Sequence, residues 1–138
     1  MHTKVEYLLD TNILIYAASA NETERTKKIK AAELLKSPFG TSTQVIQEFY
    51  TTVRRKPDRP LTAAEALQWV KRLELQPCAV VDIPLIQSAI EISQRYRISY
   101  WDGAILAAAE RLGTDVVYTE DLNHGQSYGP VRVVNPFI

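Results

Sequence analysis

Residues 8–16 read LLDTNILIY. An apolar run over 5–9 stops at Asp10, and apolar residues then recur at helical spacing over 12–20, so strand gives way to helix at a carboxylate. Ligands of an open parallel sheet bind beyond the carboxyl ends of its strands, and Asp10 occupies such a position. It serves equally well as the N-cap of the helix it precedes, and Asn12 fits a cap better than a site.

The same change of period recurs along the chain. A charged helix is predicted over 22–36, ended by Ser37-Pro38, with a short strand over 39–41. From Ser42 or Thr43 as N-cap, a third helix carries Val45, Ile46, Phe49, Tyr50 and Val53 on one apolar arc, until Lys56-Pro57-Asp58-Arg59-Pro60 breaks it. Further helices are predicted over 62–73, 84–97 and 99–112, the second with Pro84 in its first turn and the last closed by Gly113. Short strands are expected over 79–81, 116–118 and 131–134. Strands alternating with helices imply an α/β fold: one domain over 1–138 with a mostly parallel central sheet flanked by helices.

Composition narrows the setting. Sixteen Lys+Arg balance sixteen Asp+Glu, so net charge points to no nucleic-acid or membrane partner and any basic footprint is local. With 46% hydrophobic and 23% charged residues, the chain is expected to fold rather than stay disordered. One cysteine, Cys78, excludes an intrachain disulfide and thiolate-rich zinc patterns, which suits a reducing cytoplasm. Cys78 itself reads as a small buried apolar residue. MHTKVEYLLD lacks the apolar core of a secretory signal and no apolar run reaches spanning length, so neither export nor a membrane is expected.

Four more acids sit where helices begin or strands end. Glu48 lies just off the apolar arc of its helix, bordering the core, although a lone helical Glu is usually solvated. In Ser99-x-x-Asp102 the acid matches a capping box, yet a first-turn carboxylate is also held rigidly at the positive dipole end. Glu120 and Asp121 follow the 116–118 strand as a pair, of which one need face a site. Carboxylates meeting in one pocket repel, and a hard cation such as Mg²⁺ or Mn²⁺ relieves the repulsion.

Taken in order, LLDTNILIY, the helix of Glu48, SYWDGAILAAAE and VVYTEDLNHGQ resemble the PIN-domain nucleases, and among them the VapC-type toxins, over nearly the whole chain. The resemblance implies a metal-dependent ribonuclease in which Asp10, Glu48, Asp102 and Asp121 are the catalytic and metal-binding acids, supported by Asn12 and Thr119. It also implies one or two Mg²⁺ or Mn²⁺ ions about 4 Å apart if paired, a water activated for attack on phosphorus, an RNA substrate, a cognate antitoxin and a homodimer.

An RNA enzyme must also hold phosphates. Arg54, Arg55 and Lys56, with Arg59, form the densest basic cluster, although cations at a helix end are as readily explained by the dipole. Lys27, Lys28 and Lys30 read as a solvated helix face. Tyr96, Tyr100 and Trp101 precede Asp102, where a ring can stack a base, but core packing is the expectation for Trp101. His124 and His2, single and unpartnered, read as incidental.

Other functions compete. A phosphatase-like reading of Asp10-Thr11-Asn12 lacks a second acid two residues on and a lysine motif. A catalytically silent PIN module binding RNA or protein has no reason to keep four mutually repelling acids, while a housekeeping nuclease differs from a toxin only in lacking an antitoxin.

Overall fold

The computed structural model describes residues 5–138, so His2 lies outside the described residues. Strand β1 (Tyr7–Leu9) is flanked in one sheet by β2 (Phe39–Ser42) and β4 (Val116–Tyr118), both parallel to it. Beyond β2 lies β3 (Cys78–Ala79), and beyond β4 lie β6 (Val131–Val134) and the short β5 (Ser127–Tyr128), giving the order β3-β2-β1-β4-β6-β5. Only the β5–β6 pairing is antiparallel. The chain leaves β1 toward β2 on one side and returns through β4 on the other, so the order reverses between β1 and β4. A crevice opens at the carboxyl ends of strands where it does so.

Six α-helices cover the described sheet: α1 (Thr11–Ala18), α2 (Arg25–Leu34), α3 (Thr43–Val53), α4 (Ala63–Leu73), α5 (Ile83–Tyr96) and α6 (Tyr100–Leu112). Their starts follow local chemistry. Ser42, Thr62, Asp82 and Ser99 each accept a backbone N–H of the helix they cap, and Thr62 with Glu65 closes a full capping box. The expected helix over 22–36 is a 3₁₀ turn (Glu22–Glu24) followed by α2, because Asn21 caps the turn first. The expected helix end at Arg97 is instead a left-handed cap at φ 55°, whose N–H closes on Ser93. Strand β5 was not anticipated, since two residues carry no alternation to read.

The core runs through both sheet faces. Leu8, Leu9, Val117, Val131 and Val133 are buried in the sheet, with Ile13, Leu14, Phe49 and Leu106 packed from the helices. Gly103 permits the close crossing of α5 and α6: a Cβ there would lie 2.5 Å from the Ala89 carbonyl oxygen and 3.2 Å from Ser93 Cβ. A poor helix former therefore stands in the first turns of α6 for a packing reason. Two expectations about burial are corrected. Trp101 is 62% exposed because it projects from the first turn of α6, with its ring edge-on to Tyr100 at 4.9 Å. Cys78 on β3 is half-buried rather than buried, as suits a strand at the sheet margin. None of the described helices is long and apolar enough to cross a membrane.

Candidate active site

Asp10 is the first residue beyond β1, and its N–H bonds the Tyr118 carbonyl at the end of β4, 3.1 Å away. The neighbouring strands thus deliver Asp10 and Thr119 side by side. Asp10 does cap α1, with Oδ1 accepting from Thr11 N–H at 2.7 Å, while Oδ2 accepts from the Thr119 hydroxyl at 2.8 Å. Capping and facing the crevice are one geometry, because the cap of a helix that follows a strand sits at the strand's carboxyl end. Each carboxylate oxygen retains a further lone pair.

Thr119, fully buried, is the hub. Its Oγ1 donates to Asp10 and accepts from Asn12 Nδ2 at 3.2 Å and from Asp121 N–H at 3.1 Å. Asn12 lies inside α1 and does not cap it; it spans Thr119 and Asp121 Oδ2, the latter at 3.3 Å. Its Oδ1 is buried without a partner among the described residues. Exchanging oxygen and nitrogen of that amide would set Oδ1 against the Asp121 carboxylate, so the orientation stands on its bonds.

Glu48 comes from the second turn of α3, which starts at the carboxyl end of β2. It is only half-exposed and both oxygens are held, Oε2 by the Thr11 hydroxyl and Oε1 by Gln44 Nε2, each at 3.0 Å. Neither partner was singled out in the sequence. Gln44 carried a signal, four residues before Glu48 on one helix face; Thr11 carried none, since its bond spans 37 residues. Asp102 enters from the first turn of α6, where Ser99 Oγ accepts its N–H at 3.0 Å.

The acids sense one another. Burial pushes the Asp10 carboxyl up from its ordinary 3.8 to about 6; the bonds from Thr119 and Thr11 oppose that rise, and the charges of Asp121 and Glu48 add to it. Burial also raises Asp102, again reinforced by Asp121 and Glu48. All four predicted acids therefore share one electrostatic neighbourhood. Among the described residues, however, no three acidic, His or Cys side chains form a ready-made ligand cage. A large surface groove lies elsewhere, around Val5, Pro38, Pro77 and Leu112 at the amino ends of the strands, and no acid lines it.

The pair at 120 and 121 divides. Asp121 faces Asn12 and the crevice, whereas Glu120 turns away to Tyr16 and Lys27. Lys27, though still partly solvated, is paired, because α2 carries it against that loop; Lys28 and Lys30 are exposed as expected. Of the basic cluster, Arg54, Arg55 and Arg59 are exposed, while Lys56 is tied to Glu24 and Ser19. His124 Nδ1 accepts from Asn135 N–H at 2.9 Å, a loop clasp remote from the acids in its bonding.

The PIN domain family model matches residues 7–127. This chain belongs to the PIN-domain family. Solved structures share the fold. VapC20 of Mycobacterium tuberculosis, described as a sarcin-ricin loop cleaving toxin, aligns with TM-score 0.67 at 22% identity, covering 84% of this chain and 90% of that one. A toxin-antitoxin complex from Klebsiella pneumoniae aligns with TM-score 0.69 at 18% identity, over 95% and 98% of the two chains. DNA-bound VapBC from Salmonella typhimurium gives 0.62 at 19%, over 94% and 96%. No curated protein matches the sequence. Within the PIN fold of this chain, Asp10, Glu48 and Asp121 are linked through Thr11, Thr119 and Asn12 at the carboxyl ends of β1 and β4.

Proposed function

We propose that this PIN domain is a Mg²⁺- or Mn²⁺-dependent RNA endonuclease acting as the toxin of a type II toxin-antitoxin pair. One observation carries the reading: at the carboxyl ends of β1 and β4, Thr11, Thr119 and Asn12 tie together the surroundings of Asp10, Glu48 and Asp121, and the first turn of α6 brings Asp102 within range of their charges. The donor set of the four acids is all oxygen, which suits a hard divalent cation rather than zinc or copper.

Asp10 and Asp102 are assigned as the central ligands, with Glu48 and Asp121 completing the site directly or through water. A divalent ion held there supplies a water of lowered pKa and stabilises charge developing at phosphorus. The protein's own part is to orient the acids: Thr119 fixes Asp10, Thr11 and Gln44 fix Glu48, and Asn12 steadies Asp121. Such restraint of ligands by neighbouring side chains sets both affinity and geometry. For the RNA, Arg54 and Arg55 offer exposed cations for phosphates, and exposed Trp101, next to Asp102, offers a ring for an unpaired base. Lys56 contributes less, being paired already.

The likeness to a toxin-antitoxin complex and to VapBC supports a cognate antitoxin as partner; a homodimer in the cytoplasm completes the proposal. The test is cleavage of single-stranded and hairpin RNA by purified protein with Mg²⁺, with Mn²⁺ and with EDTA. Cleavage is expected with either metal and none with EDTA or in Asp10→Asn. RNA binding with no metal-dependent cleavage would favour the silent module instead.

A further inference from the structure

Glu120 and Asp121 are neighbours in the chain, yet different groups hold them. Glu120 Oε2 accepts from Lys27 Nζ at 2.6 Å and Oε1 from the Tyr16 hydroxyl at 2.8 Å. Lys27 Nζ also donates to the Tyr16 hydroxyl at 3.1 Å, and lies 4.8 Å from the centre of the Tyr16 ring and 5.4 Å from that of Phe137. Those two rings meet edge-on at 5.2 Å, so the ammonium sits in a small aromatic corner built by α1, α2 and the C-terminal segment.

Asp121 is held far less firmly. Its carboxylate is exposed and receives one long bond from Asn12, while its N–H is pinned by Thr119. The direction in which Asp121 points is therefore set by its two neighbours, Thr119 anchored inward and Glu120 anchored outward. Without Lys27, Glu120 loses its counter-charge, and the loop loses its outer anchor. A half-exposed ion pair contributes little to stability, so stability alone does not account for this corner.

We infer that Lys27, through Glu120 and Tyr16, is a positioning residue that turns Asp121 into the acidic crevice and keeps Glu120 out of it. The inference rests on the metal-site reading above, and Mn²⁺ binding tests it without recourse to cleavage. Free Mn²⁺ is measured by electron paramagnetic resonance during titration of the full chain, with circular dichroism recorded on every variant. Lys27→Met is expected to raise the Mn²⁺ Kd about tenfold, the scale seen when groups supporting metal ligands are removed. Lys27→Arg is expected to stay near wild type, and adding Glu120→Gln to Lys27→Met to change nothing further.

Arg111→Met serves as control, since it breaks a comparable surface pair, Arg111–Asp82 at 2.9 Å, outside the crevice, and is expected to leave Kd unchanged. Should Lys27→Met fail to fold, Glu120→Gln, which alters charge at constant volume, is expected to weaken Mn²⁺ by itself. An unchanged or tighter Kd in the folded variant, or equal weakening in Arg111→Met, overturns the inference while the metal site stands. A wild type that takes up no Mn²⁺ overturns both.

Discussion

The substitution Asp10→Asn offers a test of the site's energetics that requires no substrate. Asp10 is 6% exposed, and burial lifts its carboxyl from 3.8 to about 6. A carboxyl raised in the fold stabilises it when protonated: that contribution is full below 3.8 and disappears as pH rises through about 6. At about 1.4 kcal/mol per pH unit, holding the ionised form at pH 8 costs roughly 3 kcal/mol. Asparagine carries no charge and still caps α1 through its oxygen. Its amide nitrogen, however, would face Thr119 Oγ1, which already accepts from Asn12 and from Asp121 N–H, and that mismatch costs about 1 kcal/mol.

The net expectation for metal-free protein at pH 8 is a gain of about 2 kcal/mol, or roughly 4–8 °C in Tm for a chain of this size. At pH 4 both side chains are largely neutral and the gain is gone; the two melting curves are expected to cross between about pH 4 and 5. Differential scanning calorimetry in EDTA from pH 4 to 8 provides the comparison. Addition of Mn²⁺ at pH 8 is expected to raise the wild type and leave the variant unmoved, because a ligand binding only the native state stabilises by mass action. A variant no more stable than wild type at pH 8, or one whose advantage does not shrink on acidification, would refute the reasoning that Asp10 is a strained, desolvated acid.

Other outcomes follow from single contacts. Gly103→Ala removes the helix penalty of glycine, about 1 kcal/mol, yet its methyl would meet the Ala89 carbonyl at 2.5 Å; a net loss of roughly 1–3 kcal/mol by urea denaturation is expected. Thr11→Val deletes the bond to Glu48 Oε2 while keeping shape, and a metal-dependent cleavage rate lowered about tenfold is expected with Tm nearly unchanged. Arg54→Gln/Arg55→Gln is expected to weaken RNA binding and flatten its salt dependence by close to two counter-ions in a filter-binding series, since both side chains are exposed. Trp101→Ala is expected to lower affinity for unpaired RNA more than for duplex, with little effect on Tm, because its ring lies outside the core.

Much of the architecture was readable from order and period. Strands 116–118 and 131–134 fall where the sequence placed them, and Ser42, Ser99 and Gly113 cap the helices that their chemistry suits. These features are local: a cap or an apolar face depends on residues three or four apart. The four acids were readable as candidates for the same reason, each standing at a strand end or near a helix start. The exposure of Trp101 and the pairing of Lys27 were not readable, because burial and pairing depend on what another element presents, and a single helix contains no record of its neighbour.

By itself, then, the sequence determined the alternation of strand and helix, the parallel sheet it demands, and the acids available at its carboxyl edge. Only the tertiary structure decided which of them share an environment. The reversal of strand order beside β1 brings Thr119 against Asp10 across 109 residues, and Thr11 against Glu48 across 37. It also separates two adjacent acids, Asp121 toward the crevice and Glu120 toward Lys27, 93 residues away. Chain neighbours share a backbone but not an environment, and a carboxylate's environment decides whether it meets a cation of the protein or is left for a metal.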